Sequence, residues 1–181
     1  MATSLPLWLN YGRQPQRRED ACTLMTDDER WMTEALTEAA RAEAAGEVPV
    51  GAIVVYQRAI IGRGHNSPIL LHDPTAHAEL LALREAARSF GNYRLPETTL
   101  YVSVEPCLMC MGALLHARVQ RLVFGCHDPK TGAAGSLYDL SRNQRLNHQI
   151  EVSTGVGAEE SREMLQRFFR KKRSRSGASN E

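Results

Sequence analysis

Two short segments hold the residues with chemistry to offer. The first, DPTAHAELLAL at positions 73–83, opens an Ala- and Leu-rich run in which His77 and Glu79 stand two residues apart. Both are costly to bury among apolar neighbours. The second, EPCLMC at 105–110, sets Cys107 and Cys110 three residues apart behind Pro106. Pro106 suits the first turn of a helix. Three residues along a helix put both sulfurs on one face, and the positive end of the helix dipole favours thiolate over thiol. Two thiolates and one imidazole make a Cys₂His set with a fourth position open. That is the ligand count of a catalytic zinc, since a structural site closes with a fourth protein ligand. Cys126 is a spare thiol beyond the next strand, beside His127. Each segment alone has a plainer reading. His77 and Glu79 would face water on a half-exposed helix, and a lone C-x-x-C is equally a redox pair or two small buried residues.

The charge count gives Glu79 a reason. Zn²⁺ with two thiolates and a neutral imidazole is formally neutral and acidifies water less than an all-histidine site. A nearby base must then remove the proton. One geometric condition follows. Residues i and i+2 of a helix point roughly 200° apart. His77 and Glu79 therefore converge only if the site lies at a helix N-terminus, which Asp73–Pro74 just upstream favours.

The elements that must position these residues are legible from periodicity. Thr26 and Glu29 form a capping box ahead of a helix on which Trp31, Met32, Ala35, Leu36, Ala39 and Ala40 recur at helical spacing, with Gly46 at its end. Two β-branched runs, VPVGAIVVYQ and AIIGRGHN, break near Gln57–Arg58 and read as paired strands. Residues 75–90 form a second helix, 98–104 a strand, 107–118 a helix and 121–125 a short buried strand. A Gly/Ala-rich loop, DPKTGAAGS, follows, then a short strand in HQIEVSTG. From Glu159 on, Met164, Leu165, Phe168 and Phe169 mark an amphipathic helix that runs into RKKRSR at 170–175. Strands alternating with helices argue for one α/β domain, its sheet covered by helices on both faces.

Composition excludes several classes. With 43% hydrophobic and 24% charged residues, the 181-residue chain is of the globular kind. No apolar run approaches the ~18–20 residues that span a bilayer. The four cysteines, Cys22, Cys107, Cys110 and Cys126, follow no signal peptide, which favours a reduced intracellular protein over a disulfide scaffold. Net charge is +1, but five of the six residues at 170–175 are basic. Such a run is a solvated tail or an arm that contacts phosphates. Residues 1–25 carry Arg13, Arg17 and Arg18 with no acid before Glu19 and show no period. They read as a poorly ordered extension; a transit segment or a start at Met25 are the other readings. The expected organisation is an extension over 1–25, a catalytic domain over 26–170 and a basic tail over 171–181.

H-x-E followed by P-C-x-x-C is the signature of zinc nucleobase deaminases, in which the Glu is acid and base rather than ligand. The sequence resembles the zinc-dependent cytidine and deoxycytidylate deaminase superfamily, and within it the bacterial tRNA-specific adenosine deaminases. The resemblance runs from about Trp31 to Arg170. Beyond the zinc motifs it rests on EVPVGAIVV (47–55), GHNSP (64–68), HDPTAHAE (72–79), NYRL (92–95) and DPKTGAAGSL (128–137). The last segment and the basic C-terminal helix favour the tRNA branch. The resemblance implies a three-layer α/β/α fold with a mixed five-stranded sheet. It also implies one Zn²⁺ per subunit on His77, Cys107 and Cys110, with Glu79 as proton shuttle. Asn66 matches a residue that contacts the target nucleoside, and Asp128 a position near the bound RNA. The implied reaction is hydrolysis of adenosine to inosine at the anticodon wobble position with a zinc-activated water. The implied enzyme is a cytoplasmic homodimer whose RNA site draws on both subunits, with no membrane association. The alternative is a deaminase of a free base or nucleoside, of guanine or cytosine type, which would not need the basic tail. A non-catalytic zinc-stabilised RNA-binding module would leave Glu79 dispensable. Three features depart from the family pattern: the leader, and Cys126 and His127, which stand where a small and then a basic or polar residue are expected. Cys126 reads as a small buried residue and His127 as a surface histidine.

Overall fold

The computed structural model describes residues 25–177. The expected extension, Met25 excepted, and the last four residues of the basic tail lie outside that range. Helix α1 (Asp27–Ala44) starts as its capping box dictates. Glu29 N–H donates to the Thr26 hydroxyl (3.2 Å) and Thr26 N–H donates to the Glu29 carboxylate (2.7 Å). Three acids in the first turn face the positive end of the helix dipole. Trp31, Met32, Ala35, Leu36 and Ala39 are buried as expected, but Ala40 is exposed and Glu38 takes an inward position.

Strands β1 (Gly51–Tyr56) and β2 (Ala59–His65) form a hairpin. Its two central residues, Gln57 and Arg58, both have positive φ (45° and 62°), the geometry of a type I′ turn. A short helix α2 (Pro68–Leu71) follows. Its four residues are too few to show a period, and sequence patterning does not find it. It is held from outside: Ile69 and Leu70 N–H both donate to the buried Glu47 carboxylate at 2.8 Å. Then come α3 (Ala78–Phe90), β3 (Thr99–Val104), α4 (Leu108–Ala117), β4 (Arg121–Cys126), β5 (Glu151–Thr154) and α5 (Ala158–Gly177).

The five strands are ordered β2-β1-β3-β4-β5. β1 is antiparallel to both β2 and β3, whereas β3, β4 and β5 run parallel, so the sheet is mixed as expected. Strand alternation sorts the core into two layers. Ala52, Val54, Leu100, Val102, Leu122 and Phe124 face α3 and α4, while Ile53, Val55, Tyr101 and Val123 face α1 and Met164 of α5. Helices lie so close to the hairpin that a side chain cannot intervene. A Cβ on Gly51 would fall 2.2 Å from Ala35 O, and one on Gly64 2.2 Å from Ala78 O. Near the α1 start, Arg121 donates two hydrogen bonds to Asp28 (2.8 and 2.7 Å), and Tyr101 donates a third (2.8 Å). This ties α1 to β3 and β4. α5 continues without a break through Arg170–Arg173, so the basic run is helical. No helix among the described residues is long and apolar enough to cross a membrane.

Candidate metal centre and active-site cleft

Helices α3 and α4 bring their N-termini to one point. His77 is the N-cap residue of α3, with extended backbone (φ −75°, ψ 152°), and Cys107 is the N-cap residue of α4 (φ −74°, ψ 175°). Cys110 is then the third helical residue of α4. Pro106 therefore precedes the cap rather than sitting in the first turn as the sequence suggests. His77 Nδ1 lies 3.7 Å from Cys107 Sγ and 3.6 Å from Cys110 Sγ, and the two sulfurs are 3.7 Å apart. A tetrahedral zinc with bonds of about 2.3 Å to sulfur and 2.0–2.1 Å to nitrogen requires separations of about 3.8 Å and 3.6 Å. The triangle fits that ion, and this is a group that could hold a metal among the described residues.

The electrostatics agree. The Cys110 thiol beside Cys107 holds the Cys107 thiol down to about 4, with a further contribution from the His77 ring. Cys110 is pushed up in turn, first by the neighbouring Cys107 sulfur and then by burial. His77 is raised, chiefly by its contact with Cys107. Both N-termini add the positive ends of their helix dipoles.

Glu79 is the second residue of α3 and is 3% exposed. Because His77 is extended and Glu79 helical, both side chains line one cleft, which meets the condition set by their spacing. Glu79 Oε2 is buried without any hydrogen-bond partner in the protein. Burial raises its pKa, more than the nearby His77 lowers it. An orphaned buried carboxylate oxygen calls for a partner from outside the chain.

The cleft encloses about 1000 Å³. Asn66, also in its wall, is buried and accepts the N–H of Ala78 on its Oδ1 (3.0 Å), which leaves its amide nitrogen as the free donor. Asp128 and Lys130 come from the loop after β4, and Arg162, Phe169, Arg170 and Arg173 from one face of α5. The Asp128 carboxylate is engaged within its own loop, accepting from Lys130 N–H (2.9 Å) and Thr131 N–H (3.3 Å). Cys126 is buried as the sequence suggests. His127 is more exposed, but its Nδ1 lies 3.1 Å from Glu105 and 3.2 Å from Ser136. On α5 the basic residues divide. Arg162, Arg170 and Arg173 line the cleft, while Arg167 and Lys171 pair with Glu43 at the end of α1 (2.7 and 3.6 Å).

Sequence reasoning passes over Glu105. Its side chain is fully buried, and it accepts hydrogen bonds from Asp128, Ala134 and Ser136 of the following loop. Burial alone would raise its pKa, but these donors outweigh it and hold the carboxyl below its usual value. The motif EPC displays the residue, but nothing in spacing announces that its partners stand some thirty positions on.

Comparison with known proteins agrees with this geometry. The cytidine and deoxycytidylate deaminase zinc-binding region matches residues 25–126. A tRNA-specific adenosine deaminase of Haemophilus influenzae is 53% identical over 147 residues, covering 81% of this chain and 85% of that protein. One from Bacillus subtilis is 47% identical over 154 residues, covering 85% and 96%. Among solved structures, one from studies of A-to-I editing by tRNA:A34 deaminases superposes with a TM-score of 0.73. It is 40% identical, covering 75% of this chain and 99% of that one. A guanine deaminase of Bacillus subtilis gives a TM-score of 0.54 at 39% identity, covering 57% and 66%.

Proposed function

Because the chain belongs to the family of zinc-dependent cytidine and deoxycytidylate deaminases, we propose that it hydrolyses adenosine to inosine at the wobble position of a tRNA anticodon. One juxtaposition carries the reading: a Cys₂His triangle and an orphaned carboxylate share a cleft with the arginine-bearing face of α5. The relatives that act on tRNA adenosine support the substrate.

His77, Cys107 and Cys110 would hold the zinc. When bound, that ion supplies a Lewis acid that makes water a competent nucleophile near neutral pH. A base in a single-stranded loop can be splayed into the cleft without opening a duplex. Asn66, its carbonyl already committed to Ala78, donates from its amide nitrogen to an acceptor on the target nucleoside. Glu79 takes a proton from the attacking water and delivers it to N1 as oxygen adds to C6. It then moves the remaining hydroxyl proton to the exocyclic nitrogen, the C6–N6 bond breaks and ammonia leaves. The cleft-lining arginines of α5, Arg162, Arg170 and Arg173, hold phosphates, which adds affinity without reading sequence. Asp128 contributes by ordering the loop that borders the RNA.

In this reading residues 26–170 form the catalytic domain and the basic residues beyond them extend its RNA-binding face. The active form is a homodimer. Exposed apolar side chains on elements that flank the site, Ile69, Leu70, Leu108, Leu137 and Tyr138, support a second copy packing there. A tRNA substrate and reduced cysteines fit a cytoplasmic enzyme.

The test is direct. The purified protein is incubated with an anticodon stem–loop carrying A at the wobble position and, in parallel, with free adenine, guanine and cytosine. Ammonia and inosine from the stem–loop alone are expected. Ammonia from guanine or cytosine and none from the RNA would replace this reading with that of a free-base deaminase.

A further inference from the structure

Five polar groups converge on one buried carboxylate next to the metal-binding triangle. Glu105 follows β3 and stands two residues before Cys107. Its Oε1 accepts from Ala134 N–H (3.0 Å) and Ser136 N–H (2.9 Å). Its Oε2 accepts from Asp128 N–H (3.1 Å) and from the Ser136 hydroxyl, and lies 3.1 Å from His127 Nδ1. All five groups belong to residues 127–136. The loop passes so close over the carboxylate that a Cβ on Gly132 would fall 2.4 Å from Glu105 Cδ. Two further contacts lace the same loop to the segment carrying Cys107. Ala133 N–H donates to Pro106 O (2.8 Å), and Gly132 forms a β-bridge with Cys107. The loop in turn supplies Asp128, Pro129, Lys130 and Thr131 to the cleft wall.

We propose that Glu105 is a positioning residue for RNA. It contacts no reacting atom, but its carboxylate holds the 127–136 loop in the shape that receives the nucleic acid beside the metal site. A carboxylate is the side chain that suits this task. Two oxygens offer about four acceptor sites and no donor, which suits the three backbone N–H groups and the Ser136 hydroxyl together. An amide in its place would turn a donor toward donors, leaving buried N–H groups unsatisfied. Sequence separation explains why the loop needs such an anchor. It joins β4 to β5 across about two dozen residues with little regular structure of its own, and loops of that length are ordered only by specific contacts.

The inference rests on the proposed tRNA reaction, and its test separates the two. Glu105→Gln is compared with wild type for zinc content, for kcat and KM on the wobble stem–loop, and for amide exchange at Asp128, Ala134 and Ser136. We expect undiminished zinc and a kcat within about threefold of wild type. KM should rise about tenfold or more, and the three amides should exchange at least tenfold faster while β4 amides do not. Ser136→Ala, which removes one donor and leaves the carboxylate, should move KM the same way by a few-fold and serves if Glu105→Gln does not fold. A merely structural role would lower kcat and zinc content together with KM unchanged; that result, or unchanged exchange and KM, overturns the proposal. If wild type releases no ammonia from the stem–loop, the tRNA reading fails, and the exchange data still report whether Glu105 orders the loop.

Discussion

His77 and Glu79 line one cleft although they stand two residues apart, because a helix begins between them. His77 is the extended N-cap residue of α3 and Glu79 belongs to its first turn. The helical 100° step applies from Ala78 onward and not across the cap. The same construction recurs on α4, where Cys107 is the cap and Cys110 the third helical residue. Cap and third residue are also the positions that Thr26 and Glu29 use to cap α1. Here the spacing presents two sulfurs to an ion in place of a hydroxyl and a carboxylate to backbone N–H groups.

Glu79→Gln removes the proposed proton carrier and keeps its shape. Turnover of the stem–loop should fall on the order of 10²- to 10⁴-fold, the usual contribution of a general acid–base. Zinc content should stay at the wild-type level, because the group that could hold the ion is His77, Cys107 and Cys110. Single-turnover ammonia release with metal analysis of the same sample checks both. Activity near wild type would rule out the proton role.

Cys107→Ser and Cys110→Ser each take a soft ligand from the triangle. Zinc bound per chain should drop well below one after dialysis against chelator, and activity with it. Wild type stripped of metal should lose turnover and regain it on adding Zn²⁺. Full metal content in either variant would mean that the ion sits elsewhere.

The Asp28–Arg121 pair should set part of the acid stability. The Arg121 guanidinium, bonded through two nitrogens, is the largest influence on Asp28 and holds its carboxyl below the ordinary 3.8; burial opposes this in part. A depressed folded-state pKa contributes stability that is present above 3.8 and is lost as pH falls through the lower folded value. Arg121→Ala should cost on the order of 2 kcal/mol at neutral pH, as for hydrogen bonds to charged groups. Asp28→Asn should lose stability at neutral pH and show a flatter decline below pH ~4. Urea unfolding at pH 7 and in acid separates the two effects; parallel acid declines for Asp28→Asn and wild type would contradict the assignment.

Gly64→Ala tests how tightly α3 sits on the hairpin. The new Cβ would meet Ala78 O at 2.2 Å and Ala82 N at 2.6 Å, so α3 must shift. Overpacking of this kind costs about 1–3 kcal/mol. The melting temperature should fall by roughly 3–10 °C. Since Ala78 follows His77, zinc retention should weaken as well. A variant with wild-type melting and metal content would show that the helix has room to move.

The two basic stripes of α5 should behave differently toward RNA. Arg170→Ala and Arg173→Ala, which remove cleft-lining guanidinium groups, should each weaken stem–loop binding. Each should also reduce the salt slope of log K by about 0.7 for every phosphate that is no longer neutralised. Arg167→Ala breaks a pair with Glu43 and should leave that slope nearly unchanged. Titrations at several salt concentrations decide; equal slopes for all three variants would show that the stripe facing the cleft has no special role.

Local signals were enough for much of this molecule. The capping box at Thr26–Glu29, the break between two β-branched runs at Gln57–Arg58 and the short apolar runs of β1 and β4 are short-range patterns, and each element formed where its pattern lies. The donor set His77, Cys107, Cys110 is legible for the same reason, since residue type and near-neighbour spacing define what can bind a metal. Other features depend on contacts that no local pattern encodes. Glu47 holds α2 from twenty-two residues away, and Glu105 holds a loop up to thirty-one residues on. Both are acids in sequence; only folding shows that they are buried acceptors for backbone N–H groups, which carry no side-chain signature. The division of α5 into a cleft stripe and a Glu43 stripe is likewise set by where α1 ends against it. Sequence alone named the residues able to bind a metal and a candidate to carry a proton. The tertiary structure decided that one extended residue at a helix cap lets two of them meet, because the direction of a side chain at a cap is set by backbone angles and not by helical period.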